Sequence, residues 1–346
     1  MPALRPSGCR RSRDLTHPVG RKKGVDRRQF LATAGAGTLT FAFAPRAFAA
    51  SLGGIVPTAL VTADLESHVV VLDVASARVV SRFRTAPGPR SIESYRGMTA
   101  IVTHTEAGAV SVLAAGPLRL RAELDGFEAP RYAAVHPTRP FAYVTDSARE
   151  EIVVLDPELG RILWRTRVPG PARHVSISPD GRTLWTALGT TATRVAVLDT
   201  SEPRRPRLVR TLTPPFLAHD VVFAPEGRTA WVTSGDERRI ALYRGERRPL
   251  RVLGAGTPPQ HVSFARLKAF VASGDDGTVR RHRLDGDLVR EVRVPTGSYN
   301  VACDLGHVVT PSLGGGTVAF LDRNGRVRAV RTVARAAHDA CLVYVP

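Results

Sequence analysis

Seven pairs of neighbouring polar residues are the parts of this 346-residue chain that could do chemistry. Each pair follows a proline or a small residue and precedes a short apolar run, and the pairs recur about every 40 residues along the sequence. Polar pairs at a regular interval indicate one repeated position in a repeated fold. The pairs are Arg90-Ser91, Arg131-Tyr132, Arg173-His174, His219-Asp220, Gln260-His261, Tyr299-Asn300 and His338-Asp339.

Three interpretations of these pairs are open. The groups could bond the backbone between repeats, or the guanidinium forks of Arg90, Arg131 and Arg173 could hold a carboxylate or another anion. Neutral imidazoles suit zinc or copper, so a metal could be held by His174, His219 and His261 if their nitrogens converge. The candidate ligand-binding residues are therefore Arg90, Arg131, Tyr132, Arg173, His174, His219, Asp220, His261, Asn300, His338 and Asp339, with His104, Asp146, Asp236 and Asp275 expected on flanking loops.

The elements that must position these residues are short β-rich runs bounded by turns, a pattern typical of antiparallel strands. A run such as Tyr143–Asp146 recurs with starts at residues 60, 101, 143, 184, 231, 270 and 308. Four strands in each unit of about 40 residues predict a blade of a β-propeller. Seven units fill residues 59–346, and the final residues, 341–346, are expected to complete the first blade so that no edge is left open.

The motifs within this repeat also resemble a known family. Tyr143–Asp146, Ile152–Asp156 and Ser178–Trp185 are similar to the repeats of the YVTN family of bacterial seven-bladed propellers. The resemblance covers residues 59–346 and implies a fold rather than an activity. No Trp-Asp dipeptide occurs, which argues against a WD40 protein proper.

The prediction for function is a binding or interaction module whose polar face surrounds the mouth of the channel. No Gly-x-Ser-x-Gly elbow and no His-Glu-x-x-His motif occurs, which argues against an enzyme. Seven-bladed lactonases have a similar repeat pattern, and this similarity implies an alternative, hydrolysis of a sugar lactone by His, Arg and an acid at the mouth. A redox propeller that holds a metal or haem is a further alternative. No Cys-x-x-Cys-His occurs, so covalent haem is excluded, and the sequence requires no cofactor.

Residues 1–49 differ from the rest and predict a signal peptide with a basic extension. A basic region, an apolar run over 31–44 and a small-x-small site at 47–49 follow one another. The segment resembles a twin-arginine signal, which implies export to the periplasm or the exterior, cleavage after Ala49 and no spanning segment in the mature chain. An uncleaved anchor is the alternative, and 50–58 is predicted as a linker. The signal residues are Arg27, Arg28, Phe30 and Leu31.

Charge and cysteine content restrict the choice of partner. The formal charge is +18, of which residues 1–49 carry +8, and 46 arginines stand against three lysines. The arginines are scattered and few aromatic residues lie among them, so a nucleic-acid site is only weakly supported. Cys303 and Cys341 are expected as separate buried thiols, because inner strands of adjacent blades usually stand too far apart for a disulfide. A bond between them is the alternative, since export would permit it. We predict a monomer that binds an anionic small molecule or a protein partner.

Overall fold

The computed structural model describes residues 56–345 apart from 228, 246, 247 and 305, and confirms a ring of seven blades. Each blade is a four-stranded antiparallel sheet, and one short 3₁₀ turn, Asp64–Glu66, is the helical element of the described residues. The strands are β1 (Val56–Ala63), β2 (His68–Asp73), β3 (Arg78–Arg84), β4 (Pro89–Tyr95), β5 (Thr99–His104), β6 (Ala109–Ala115), β7 (Leu118–Leu124), β8 (Pro130–Val135), β9 (Ala142–Asp146), β10 (Glu151–Asp156), β11 (Arg161–Arg167), β12 (Val175–Ile177), β13 (Thr183–Ala187), β14 (Val195–Asp199), β15 (Arg207–Leu212), β16 (Val221–Phe223), β17 (Ala230–Thr233), β18 (Arg239–Tyr243), β19 (Arg251–Gly254), β20 (Val262–Ala265), β21 (Lys268–Ser273), β22 (Thr278–Arg283), β23 (Leu288–Arg293), β24 (Ala302–Asp304), β25 (His307–Ser312), β26 (Thr317–Leu321), β27 (Val327–Thr332) and β28 (Ala340–Val345).

The last strand closes the ring, as the sequence predicts. The first blade has the strand order β28-β1-β2-β3, and Thr58 of β1 pairs with Val343 of β28. Strand β1 begins at Val56, so the sheet extends three residues into the segment predicted as a linker. The predicted signal peptide and the rest of that linker lie outside the described residues.

The hydrophobic core lies between neighbouring blades. Seven clusters of buried aliphatic and aromatic side chains occur, one at each junction of the ring. Between the fourth and fifth blades, for example, Trp185 packs edge-on against Tyr243 with ring centroids 5.5 Å apart. The second and third strands of each blade supply most of this core, because both of their faces contact a neighbouring sheet. The innermost strands are thereby fixed around a central channel.

Two further findings concern the chain as a whole. Cys303 and Cys341 are both free thiols, in agreement with the expectation that they are not bonded. Within the described residues, no helix has the length and the apolar character needed to cross a membrane.

Candidate metal and anion site at the channel mouth

The polar pairs stand at the start of the innermost strand of each blade and meet at one mouth of the channel. The cavity there has a volume of about 530 Å³ and is lined by Tyr132, His174, His261 and Asp339, among others. A threonine from the neighbouring second strand fixes the backbone at several of these positions; Thr145 Oγ1, for instance, accepts a bond from the Tyr132 amide at 3.0 Å. Equivalent threonines are Thr62, Thr103, Thr233 and Thr310.

Three histidines from successive blades converge at this mouth. One ring nitrogen from each of His174, His219 and His261 lies within 4.8 Å of the corresponding nitrogens of the other two. The ring centroids are 4.6 Å apart for His174 and His219, 4.5 Å for His174 and His261, and 5.4 Å for His219 and His261. The ring of Tyr132 packs against His174 at 4.1 Å. We call the three imidazoles the histidine cluster.

Neighbouring groups orient two members of the histidine cluster. His219 Nδ1 lies 3.0 Å from the carbonyl oxygen of Thr190, and only an N–H can bond that oxygen. His261 Nδ1 lies 3.4 Å from Asp220 Oδ2. A contact from one ring nitrogen to a carbonyl or carboxylate oxygen is typical of metal-binding histidines, since it leaves the other ring nitrogen free. Both rings can therefore offer Nε2 to the centre of the cluster.

His174 differs from the other two because neither of its ring nitrogens has a partner. The side chain is 2% exposed, and Nδ1 and Nε2 are both buried without a hydrogen bond to any described residue. A buried polar atom without a partner costs about 1–3 kcal/mol, so such an arrangement points to a ligand that would satisfy it. Burial, followed by the charges of His261, His219 and Arg173, lowers the pKa of His174 well below its ordinary value, and the nearby backbone of His219 partly offsets this lowering.

The surroundings keep two members of the histidine cluster, His174 and His219, uncharged. Burial, followed by the charge of His261, lowers the pKa of His219 to about 4. Burial likewise lowers the pKa of the nearby His338 to about 3. At neutral pH, His174 and His219 are therefore neutral imidazoles, which is the form that binds a metal.

Three arginines lie beside the histidine cluster on the second, third and fourth blades. The Nε atoms of Arg90, Arg131 and Arg173 are all buried and without a hydrogen bond in the described part of the chain. Arg90 lies 3.6 Å from Asp64, and Arg173 donates to the hydroxyl of Thr190. Burial, then the charges of Arg173 and Arg90, lower the pKa of Arg131, which places the three guanidinium groups near one another. We call these side chains the arginine group.

Other predicted site residues serve the junctions between blades. Asp220 Oδ2 accepts the Val262 amide at 3.1 Å and Asp339 Oδ2 accepts the Ile92 amide at 3.1 Å, so each carboxylate bonds the next blade. Asn300 and His338 also bond the next blade: Asn300 Nδ2 donates to the His338 carbonyl at 2.8 Å, and His338 Nδ1 donates to the Arg90 carbonyl at 2.5 Å. Their polar groups are occupied by the backbone, as the structural interpretation of the pairs expects.

The expected flanking loops contribute less than the sequence suggests. His104 is buried in the second blade against Ser111, with Nε2 and Oγ 2.9 Å apart, and Asp146 accepts the Glu128 and Ala129 amides. Asp275 accepts from the Tyr299 hydroxyl at 2.8 Å, and Asp236 is exposed.

Sequence reasoning missed Thr190, which binds both Arg173 and His219. This residue lies in the Gly/Thr loop between β13 and β14, where only its position above the mouth distinguishes it. It also missed Glu93, which lines the channel two residues after Ser91. Side chains two residues apart on a strand share a face, so that spacing could have found it. Burial, then the charge of Asp339, raise the pKa of Glu93 to about 8.

Comparisons with known proteins show the fold alone. No protein-family model matches the sequence, and no curated protein does. A functionally unknown protein from Desulfotomaculum acetoxidans superposes with a TM-score of 0.73 at 12% identity, over 84% of this chain and 99% of that one. Apo AztD from Citrobacter koseri gives 0.67 at 14% identity, over 84% and 98%. The Kuenenia stuttgartiensis hydrazine synthase gives 0.61 at 17% identity, over 74% and 89%.

Proposed function

We propose that this propeller is a metal-binding protein that holds a late first-row divalent ion, zinc or copper, on the histidine cluster. The observation that carries the proposal is the buried His174, whose two ring nitrogens lack partners among the described residues while two further imidazoles lie against it. A metal ion would satisfy such a nitrogen. The AztD likeness supports the fold of this proposal and adds nothing to the choice of ion.

The geometry suits an open site rather than a closed one. Zinc binds histidine nitrogens at about 2.0–2.1 Å, which puts the nitrogens of a tetrahedral site about 3.3 Å apart. The observed limit of 4.8 Å is wider, so the rings must turn inward by about 1.5 Å or less when all three bind. Three protein ligands leave at least one coordination position free on the channel side. An ion held in this way can exchange or accept an external ligand.

The experiment is a metal competition titration of the full chain after treatment with a chelator. Zinc and copper are titrated against a chromophoric chelator for wild type and for His174→Ala, His219→Ala and His261→Ala. We expect one ion per chain and at least about 100-fold weaker binding in each variant, equivalent to about 2.7 kcal/mol. His307→Ala is the matched control, because His307 is a half-buried histidine at the start of β25 and outside the cluster. Equal affinity in all five proteins would contradict the assignment.

The lactonase-like alternative has less support. Hydrolysis by general acid and base catalysis needs a free carboxyl group near the mouth. Burial raises the pKa of Asp339 to about 6, but both of its oxygens accept main-chain amides, from Ile92 and Ala340. Asp220 Oδ1 and Oδ2 are occupied in the same manner, by Val221 and Val262. Glu93 also lines the channel, with a pKa raised to about 8 by burial and the charge of Asp339, and it is the carboxyl group that this alternative would need to use.

We further propose that the protein is exported through the twin-arginine route. The support is the basic, apolar and small-residue succession of residues 1–49. All three ligands of the cluster lie between residues 174 and 261, so removal of a signal peptide at Ala49 would leave the metal site intact.

A further inference from the structure

The arginine group creates a charge problem for any metal on the histidine cluster. Arg90 has a carboxylate partner in Asp64, but Arg131 and Arg173 form no ion pair with a described residue. Two carboxylates that line the channel, those of Asp220 and Asp339, match these two positive charges in number. A dication on the cluster would then leave the mouth with a net charge of +2. Like charges in a partly buried site repel strongly.

The same arginines have unused hydrogen-bonding capacity. The Nε atoms of Arg131 and Arg173 are buried without a partner, although a guanidinium has five N–H donors that fit the two oxygens of a carboxylate or phosphate. Arg173 is held against the Thr190 loop, which also orients His219, so one loop connects the arginine group with the histidine cluster. Burial, and after it the positive charges of Arg173 and Arg90, lower the pKa of Arg131.

We propose that Arg131 and Arg173 bind an oxyanion beside the metal, and that metal and oxyanion bind with positive coupling. The oxygens of the anion accept hydrogen bonds from the guanidinium N–H groups. The anion thereby neutralises the added charge near the free coordination positions of the ion. Its class is a carboxylate or an inorganic oxyanion such as sulfate or phosphate. The coupling rests on the proposed metal site, whereas the anion site itself rests on the arginines alone.

The first test measures oxyanion binding to the metal-free full chain by calorimetric titration. Sulfate, phosphate and acetate are compared at constant ionic strength, which separates inorganic oxyanions from carboxylates. We expect saturable binding of at least one of them, and at least tenfold weaker binding by Arg131→Gln/Arg173→Gln. The control Arg78→Gln/Arg119→Gln makes the same charge change on exposed outer strands and should bind as wild type does. Absence of saturable binding, or equal binding by both double variants, would overturn the anion site.

The second test measures the zinc dissociation constant with and without saturating sulfate or acetate, both of which bind free zinc weakly. Reciprocity requires the anion to tighten zinc binding by the factor by which zinc tightens anion binding. We expect at least a tenfold effect, or about 1.4 kcal/mol, in wild type and in Arg78→Gln/Arg119→Gln. The effect should fall to less than twofold in Arg131→Gln/Arg173→Gln. A zinc dissociation constant that is the same with and without the anion in wild type would overturn the coupling.

The two proposals fail in different ways. If the histidine cluster does not bind metal, zinc fails to bind with or without anion, while the arginine-dependent anion signal of the metal-free protein is unchanged. If the arginines do not bind an anion, that signal is absent and zinc still binds in a manner that depends on His174. Thermal unfolding of each variant in the absence of ligands shows whether it is folded. The variant Arg131→Lys/Arg173→Lys keeps the charge while removing the forked donors, so it separates the effect of charge from that of hydrogen-bond geometry.

Discussion

Replacing His174 by leucine should stabilise the metal-free protein and abolish its response to metal. The imidazole is buried, and both of its nitrogens lack hydrogen-bond partners in the described part of the chain. An unsatisfied buried polar group costs about 1–3 kcal/mol, whereas an apolar side chain of similar size has no such cost. Lost ring contacts with Tyr132 offset about 0.5–1 kcal/mol of the gain. We therefore expect His174→Leu to raise the free energy of unfolding by about 1–2 kcal/mol.

The presence of metal should reverse the order of stability. An ion at 100 times its dissociation constant stabilises the wild type by about 2.7 kcal/mol, and a variant that cannot bind it gains nothing. At about 2 °C per kcal/mol for a domain of this size, His174→Leu should melt about 2–4 °C above the wild type without metal and below it with zinc. Differential scanning calorimetry of both proteins, with chelator and with zinc, measures all four midpoints.

His136→Leu is the matched control, because His136 is also a buried histidine but its ring has a structural task. His136 Nδ1 accepts the amides of Thr138 at 3.2 Å and Arg139 at 3.1 Å. Leucine there would leave two amides without an acceptor, and we expect a loss of about 1–3 kcal/mol. If His174→Leu destabilised the metal-free protein as much as His136→Leu does, the imidazole of His174 would be a structural group and our reasoning about the cluster would fail.

Three further predictions concern the channel, the seam of the ring and export. The pKa of Glu93 is about 8 in the folded state and about 4.5 in the unfolded state, so its contribution to stability is full below pH 4.5 and is lost as the pH rises through 8. In urea unfolding, the wild type should lose about 1–3 kcal/mol of unfolding free energy over that range, and Glu93→Gln should not show this loss. Water in the channel screens part of this effect, because Glu93 is half-buried. Val343→Ala should cost about 2 kcal/mol in the same assay, since Val343 of the last strand is fully buried between the first and second blades. A change below about 0.5 kcal/mol would be inconsistent with that position. Arg27→Lys/Arg28→Lys should retain the protein in the cytoplasm, as measured by fractionation, and unchanged export would exclude the twin-arginine route.

The repeat could be predicted from sequence because each of its signals is local. Alternating residues and turns mark the strands, and the spare run after Ala340 indicates how the first blade is completed. The threonine of each Val-Thr run, such as Thr145 or Thr233, has a physical role that explains its recurrence, since its hydroxyl bonds the start of the innermost strand. Seven blades follow from counting, and the channel mouth follows from the connections between blades.

The composition of the site could not be predicted in the same way. His338 and His219 occupy equivalent positions in the repeat, yet His219 joins the cluster while Nδ1 of His338 donates to the Arg90 carbonyl. The difference depends on which carbonyl oxygen each ring meets, that of Thr190 or that of Arg90, and a sequence pattern does not record such contacts. The carboxylates of Asp220 and Asp339 likewise look like ligands in sequence and bond amides in the structure.

The seam of the ring also has a consequence for how the chain folds. Strands β1 and β28 are the first and last of the described chain, and the bond from the Asp339 amide to Thr62 Oγ1 spans 277 residues. Contacts of such long sequence separation form late, because the entropy of closing a long loop must be overcome first. Every other blade can form from a contiguous segment, but the first cannot. The ring therefore closes only after β28 has been synthesised, and the slowest folding step should be the docking of that strand.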